Sequence, residues 1–173
     1  MGFLKVYYET AKKVLLRPAE FFREMPVDGG YKAALIFAIM TAVVMGIGLT
    51  AITLGVGFLA IVFAPIAVTI SVFIAGGLLL LAARIMGGKA SYEATVKIVC
   101  YTNVVNLVGW IPIVSIAGSI YGLWLTIVGM REVHKLSLGK AIAAVAITIA
   151  VVFIVVVILA IIGIGITGYV PGA

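Results

Sequence analysis

The chain has 173 residues, 65% of them hydrophobic, with a mean hydropathy of +1.35 and a formal net charge of +6. Soluble domains are nearer half apolar, and a transmembrane β-barrel would alternate apolar and polar residues; the unbroken apolar runs here exclude both. Several runs exceed the roughly 18–20 residues that carry a helix across a bilayer, and the basic residues flank them, so the charge points to anionic lipid head groups rather than to nucleic acid.

The expected fold is all-α: a polytopic bundle of five transmembrane helices preceded by an N-terminal amphipathic interfacial helix. Two regions are expected, a cytosolic N-terminal segment over residues 1–32 and a transmembrane domain over 33–173. The first 32 residues hold six basic and four acidic side chains. Phe3, Leu4, Tyr7, Tyr8, Ala11, Val14 and Leu15 recur at helical spacing, with Lys5, Glu9, Lys12 and Lys13 largely on the other side. Such a helix suits the bilayer surface or the cytosolic end of a bundle. Arg17-Pro18 interrupts it, a short helix Ala19–Met25 offers Phe21, Phe22 and Met25 to the membrane, and Asp28-Gly29-Gly30 is a turn.

The five spans are expected at about 33–54, 58–83, 93–108, 113–130 and 141–166. In the first, Ala34, Ala38, Ala42 and Gly46 form a small-residue stripe that allows close helix approach. The second contains Pro65, a kink candidate. The third is the polar one, with Lys97, Tyr101, Thr102, Asn103 and Asn106. The fourth carries Gly118-x-x-x-Gly122, which with the first stripe raises a homo-oligomer. Every carboxylate, amine, guanidinium and imidazole side chain lies before span one, at the junction of spans two and three, or between spans four and five. The positive-inside rule then places the N-terminus in the cytosol and the C-terminus outside, with Trp110 and Tyr169 at the outer interface.

Two sets of residues are candidate sites. Arg84, Lys89, Tyr92, Glu93, Arg131, Glu132 and His134 form a cytosolic face for a protein partner or anionic lipid. Tyr101, Thr102, Asn103 and Asn106 form a polar group at membrane depth. Asn103 and Asn106, three apart, share a helix face; they read as glue to a neighbouring helix, with a polar cavity as the alternative. Ser91 is a candidate N-cap, and Glu93 with Lys97 is an i,i+4 pair whose lysine can reach back to the interface. His134, the only histidine, reads as a solvated loop residue and, with one nearby carboxylate, falls short of a metal site. Cys100, the only cysteine, reads as inert. No zinc-protease motif, nucleophile elbow or intramembrane aspartate pair is present, so no catalytic residue, metal or cofactor is expected, and the chain does not read as an enzyme.

Pro18-Ala19-Glu20-Phe21-Phe22, Gly87-Gly88-Lys89-Ala90-Ser91-Tyr92, Tyr101, Gly118, Trp124, Gly129, His134-Lys135-Leu136-Ser137 and Lys140-Ala141 occur in this order. Together with the span pattern they resemble the Yip (Ypt-interacting protein) domain family in its short prokaryotic form. The resemblance implies a prokaryotic plasma-membrane protein and marks Gly87, Gly88, Tyr92, Gly118 and His134 without giving them a chemical role. Eukaryotic members bind prenylated Rab-type GTPases, but they carry a longer N-terminal region and an Asp-Leu-Tyr-Gly-Pro-like motif that this chain lacks. The expected function is a non-enzymatic membrane-organising or adaptor protein with a basic cytosolic face. The alternative is a small-solute or ion pathway through the polar third span.

Overall fold

The computed structural model describes the backbone of residues 2–168 and the side chains of residue 2 and residues 4–162. Every regular element in it is helical: α1 (Phe3–Leu16), α2 (Pro18–Glu24), α3 (Lys32–Ile52), α4 (Leu59–Ile85), α5 (Tyr92–Thr102), α6 (Pro112–His134) and α7 (Leu138–Gly168). Short 3-10 segments at Val56–Phe58 and Asn103–Val108 precede α4 and follow α5. Tyr169, expected at the outer interface, lies outside the described residues.

Among the described residues four helical stretches are long and apolar enough to cross a membrane: Lys32–Ile52, Val56–Ile85, Pro112–His134 and Leu138–Ile162. The expected third span is not a continuous α-helix of that kind. Its α-helical part stops at Thr102 and the chain continues as a 3-10 segment. The reason is local chemistry. The Thr102 hydroxyl and the Asn103 amide both donate to the Val99 carbonyl, at 3.0 and 2.8 Å, and the Asn106 amide donates to Asn103 Oδ1 at 2.9 Å. Short polar side chains that bond nearby backbone compete with the α-helical ladder.

The termini of the helices follow familiar rules. Pro18 opens α2 and Pro112 opens α6, where their missing amide hydrogens cost nothing. Ser91 caps α5 by accepting from the Ala94 amide at 3.2 Å. α6 ends at Lys135, whose φ of +55° is left-handed, and the Leu136 amide returns to the Arg131 carbonyl. The buried Leu136 side chain completes that C-terminal cap. Pro65 is held inside an unbroken α4.

α3 and α4 pack most closely. Ala34, Ala38, Ala42 and Gly46 are all buried, and a Cβ added to Gly46 would lie 2.9 Å from the Ile61 backbone. The stripe is thus used within the chain. α4 meets α5 at Gly76, where an added Cβ would stand 2.5 Å from Val96 Cγ2.

The N-terminal helices belong to the bundle. Phe22 and Met25, expected to face the membrane, are buried with Leu79, Ile98, Met130 and Ala141. The aromatic face of α2 finds a protein groove between α5 and α6, and Phe21 stacks edge-on against Tyr101, centroids 4.8 Å apart. α1 lies alongside: Ala11 and Val14 are buried with Phe37, Val104 and Leu125. The Tyr7 hydroxyl is 2.9 Å from the Thr41 hydroxyl, and the Tyr121 hydroxyl donates to the Leu15 carbonyl.

Candidate functional site

The charged end of the bundle is where the ends of α4 and α6 meet the starts of α3, α5 and α7. Lys97 sits one turn inside α5, only 4% exposed. Its ammonium does not reach back to the surface. It donates to the Pro26 and Asp28 carbonyls, both at 3.0 Å, and to Glu93 Oε1 at 2.7 Å. The Glu93 oxygen also accepts the Gly30 amide at 2.6 Å. Three donors on the ammonium meet three acceptors, which is what a buried lysine needs. The turn at residues 26–30 is thereby stapled to α5. Gly29 and Gly30 have φ of +97° and +88°, conformations that only glycine enters freely.

His134 is the last residue of α6 and is fully buried, not solvated. Its Nε2 lies 3.0 Å from the Thr95 hydroxyl. Its other face meets Gly88, where an added Cβ would stand 2.8 Å from Nδ1 and 3.0 Å from the Ala83 carbonyl oxygen. Gly87, beside it, has φ of +88°. The glycines of the α4–α5 loop and the histidine of α6 thus form one packing unit. Arg84 closes the loop over it by donating to the Gly88 and Ala90 carbonyls at 3.4 and 3.2 Å.

Glu132 is buried between two arginines, with Arg23 of α2 at 3.2 Å and Arg131 at 3.7 Å. The Tyr92 hydroxyl donates to the Phe73 carbonyl at 2.9 Å. Of the expected cytosolic face, then, Arg84, Tyr92, Glu93, Arg131, Glu132 and His134 are engaged within the chain, and Lys89 stands exposed. The polar set expected at membrane depth is local as well: Thr102, Asn103 and Asn106 bond within their own segment, and Tyr101 packs on Phe21 and Phe37. The two asparagines do not bond to a neighbouring helix. Gly118 and Gly122 face Val105 of that same segment, at 3.6 Å or less counted from an added Cβ. Cys100 is buried.

Arg23 and Thr95 were not singled out from the sequence, and Asp28 was read only as part of a turn. Thr95 sits four residues after the Ser91 cap and Arg23 three after Glu20, positions with no signal of their own. A cavity of about 470 Å³ lies between α1, the 25–30 turn and α3, with Tyr7, Asp28, Lys32, Phe37, Met40 and Tyr101 among its lining. Burial lifts the Tyr7 phenol above its ordinary value of 10.0, with the hydrogen bond to Thr41 acting the other way. Among the described residues no three His, Cys, Asp or Glu side chains gather as a metal site would require.

Long apolar helices, close small-residue packing and charge collected at helix ends define a multi-pass helical membrane protein. A family model described as Yip1 domain matches residues 12–160, and the chain belongs to that family. Neither the curated proteins nor the solved structures compared with it gave a match.

Proposed function

We propose that this Yip1-domain chain is a non-enzymatic membrane-organising protein whose cytosolic end engages an anionic membrane surface or an acidic partner. One observation carries the reading. Four of the six carboxylates (Glu20, Glu24, Glu93 and Glu132) are spent in internal ion pairs. Among the described residues the cations without an ion pair are Lys5, Lys12, Lys32, Arg84, Lys89, Lys135 and Lys140. What the folded chain presents to its surroundings is therefore mainly positive, and each lysine near an anionic surface contributes about 1 kcal/mol. Lys89 lies on the α4–α5 loop, Lys135 just past the end of α6 and Lys140 in the first turn of α7.

The positive-inside rule supports a cytosolic setting for that end, and the prokaryotic plasma membrane is what the family resemblance implies. The reading takes α5 and its 3-10 continuation as a fifth pass, with the C-terminus outside. Eleven α-helical residues at 1.5 Å and six 3-10 residues at 2.0 Å extend about 28 Å, close to the ~30 Å hydrocarbon core. In this reading α1 keeps Lys5, Glu9 and Lys12 at the polar boundary and its apolar face inward.

The test is vesicle capture. The protein, reconstituted in neutral nanodiscs, is mixed with vesicles of phosphatidylcholine alone or containing phosphatidylglycerol, and co-sedimentation is measured. Capture of the anionic vesicles only, lost in Lys89→Ala/Lys135→Ala/Lys140→Ala and weakened by salt, supports the reading. Equal capture of neutral vesicles, or a triple variant that behaves like the parent, overturns it.

A further inference from the structure

The cavity beside α1 has a polar mouth and an apolar interior. Its α3 wall runs from Lys32 to Met40, about 12 Å along the helix. Since the membrane-crossing stretch begins at Lys32, the cavity reaches from head-group level into the hydrocarbon layer. Val6 of α1 and Ile36, Phe37 and Met40 of α3 supply apolar lining. The volume of about 470 Å³ lies in the range of small-molecule sites, roughly 300–1,000 Å³. An occupant therefore has a charged end and an apolar end.

The mouth says which charged end. Asp28 and Lys32 both line the cavity, both are exposed, and neither has an ion pair among the described residues. Lys97 also borders it, but its ammonium is fully engaged by Pro26, Asp28 and Glu93. Lys97 acts as a positioning residue: by gripping the Asp28 carbonyl it fixes where the Asp28 carboxylate stands. A purely anionic head group would meet Asp28 as a like charge, and a purely cationic one would meet Lys32. A head group carrying both charges satisfies both.

We propose that this cavity binds one chain of a zwitterionic phospholipid with a primary amine, its phosphate at Lys32 and its ammonium at Asp28. A primary ammonium donates hydrogen bonds to the carboxylate, which a quaternary one cannot. The site uses residues other than the Lys89, Lys135 and Lys140 surface, so the two readings stand or fall separately.

The experiment is native mass spectrometry of the delipidated full chain titrated with phosphatidylethanolamine, phosphatidylcholine or phosphatidylglycerol. One phosphatidylethanolamine is expected to bind about tenfold more tightly than either competitor. Asp28→Asn should abolish the preference over phosphatidylglycerol, and Lys32→Gln should weaken all three. Met40→Trp, filling the interior, should remove binding, with circular dichroism verifying the fold; Ile36→Trp repeats the test from the adjacent turn. Equal binding of phosphatidylglycerol by the parent chain overturns the proposal. So does binding that survives both tryptophan variants, or no retained lipid at all.

Discussion

His134 Nε2 and Thr95 Oγ1 lie 3.0 Å apart, and the Thr95 hydroxyl gives its own proton to the Ser91 carbonyl at 2.8 Å. With the threonine proton so placed, the imidazole donates from Nε2, and its Nδ1 has no hydrogen-bond partner among the described residues. Thr95→Val strands the Nε2–H in a buried site and should cost about 1–3 kcal/mol. Thr95→Ser should recover most of it. Thermal midpoints in detergent read both, and a valine variant as stable as the parent would show that the bond adds nothing.

Gly88 is where the α4–α5 loop leans on that histidine. Gly88→Ala drives a methyl group against Nδ1 and against the Ala83 carbonyl oxygen, which is backbone and cannot swing away. Overpacking of this kind costs about 1–3 kcal/mol. Gly88→Ala/His134→Ala should relieve only the imidazole part of the clash. Full recovery of the midpoint in the double variant would mean that the backbone contact is harmless.

Lys97→Met keeps the length of the side chain and deletes its charge. The Pro26 and Asp28 carbonyls and Glu93 lose their shared donor. The turn at 26–30 should loosen, with stability lowered by about 1–3 kcal/mol. Hydrogen exchange at the Gly30 amide, now bonded to Glu93, should accelerate. Unchanged exchange there would refute the stapling role.

Two glycines of α6 should respond in opposite ways. A Cβ on Gly118 would lie 3.6 Å from the Val105 carbonyl oxygen and 3.9 Å from Val105 Cβ, ordinary contacts, so Gly118→Ala should be neutral or gain up to about 1 kcal/mol from helix propensity. A Cβ on Gly129 would stand 2.6 Å from Ile98 Cγ2 and 3.4 Å from Phe22 Cε1, both in the core, so Gly129→Ala should destabilise. The difference in melting temperature between the two variants is the readout, and a reversed order would contradict this packing.

Asn103 both donates to the Val99 carbonyl and accepts from Asn106. Asn103→Leu should therefore cost more than Asn106→Leu, each on the order of the 0.5–1.5 kcal/mol of a typical intramolecular hydrogen bond. Equal costs would indicate that the two amides act through other partners.

The long helices were legible because hydropathy alone defines them: α3, α4 and α7 fall within a few residues of the expected spans. The break at Pro18 and the cap at Ser91 were legible for the same reason, since each is a property of one residue in one place. The His134 environment was not. Arg131 and Glu132 end an apolar run, so the span seemed to stop at Met130, yet charge does not stop a helix, and α6 continues to His134. Burial of the imidazole depends on Gly88 and Thr95, 46 and 39 positions away in the sequence. The polar third segment was read as a plain helix because its asparagines were expected to reach outward; they turn back on their own backbone instead.

The seat of α1 sets an order for biosynthesis. Leu15 accepts its hydrogen bond from Tyr121, which lies 106 residues later. At about 5–20 residues per second of synthesis, on the order of ten seconds separate the two leaving the ribosome. Ala11 and Val14 have no completed groove until Leu125 follows into the bilayer. Through that interval α1 shelters its apolar face on the lipid surface or a chaperone. A helix synthesised before α6 thus reaches its place only after α6 does.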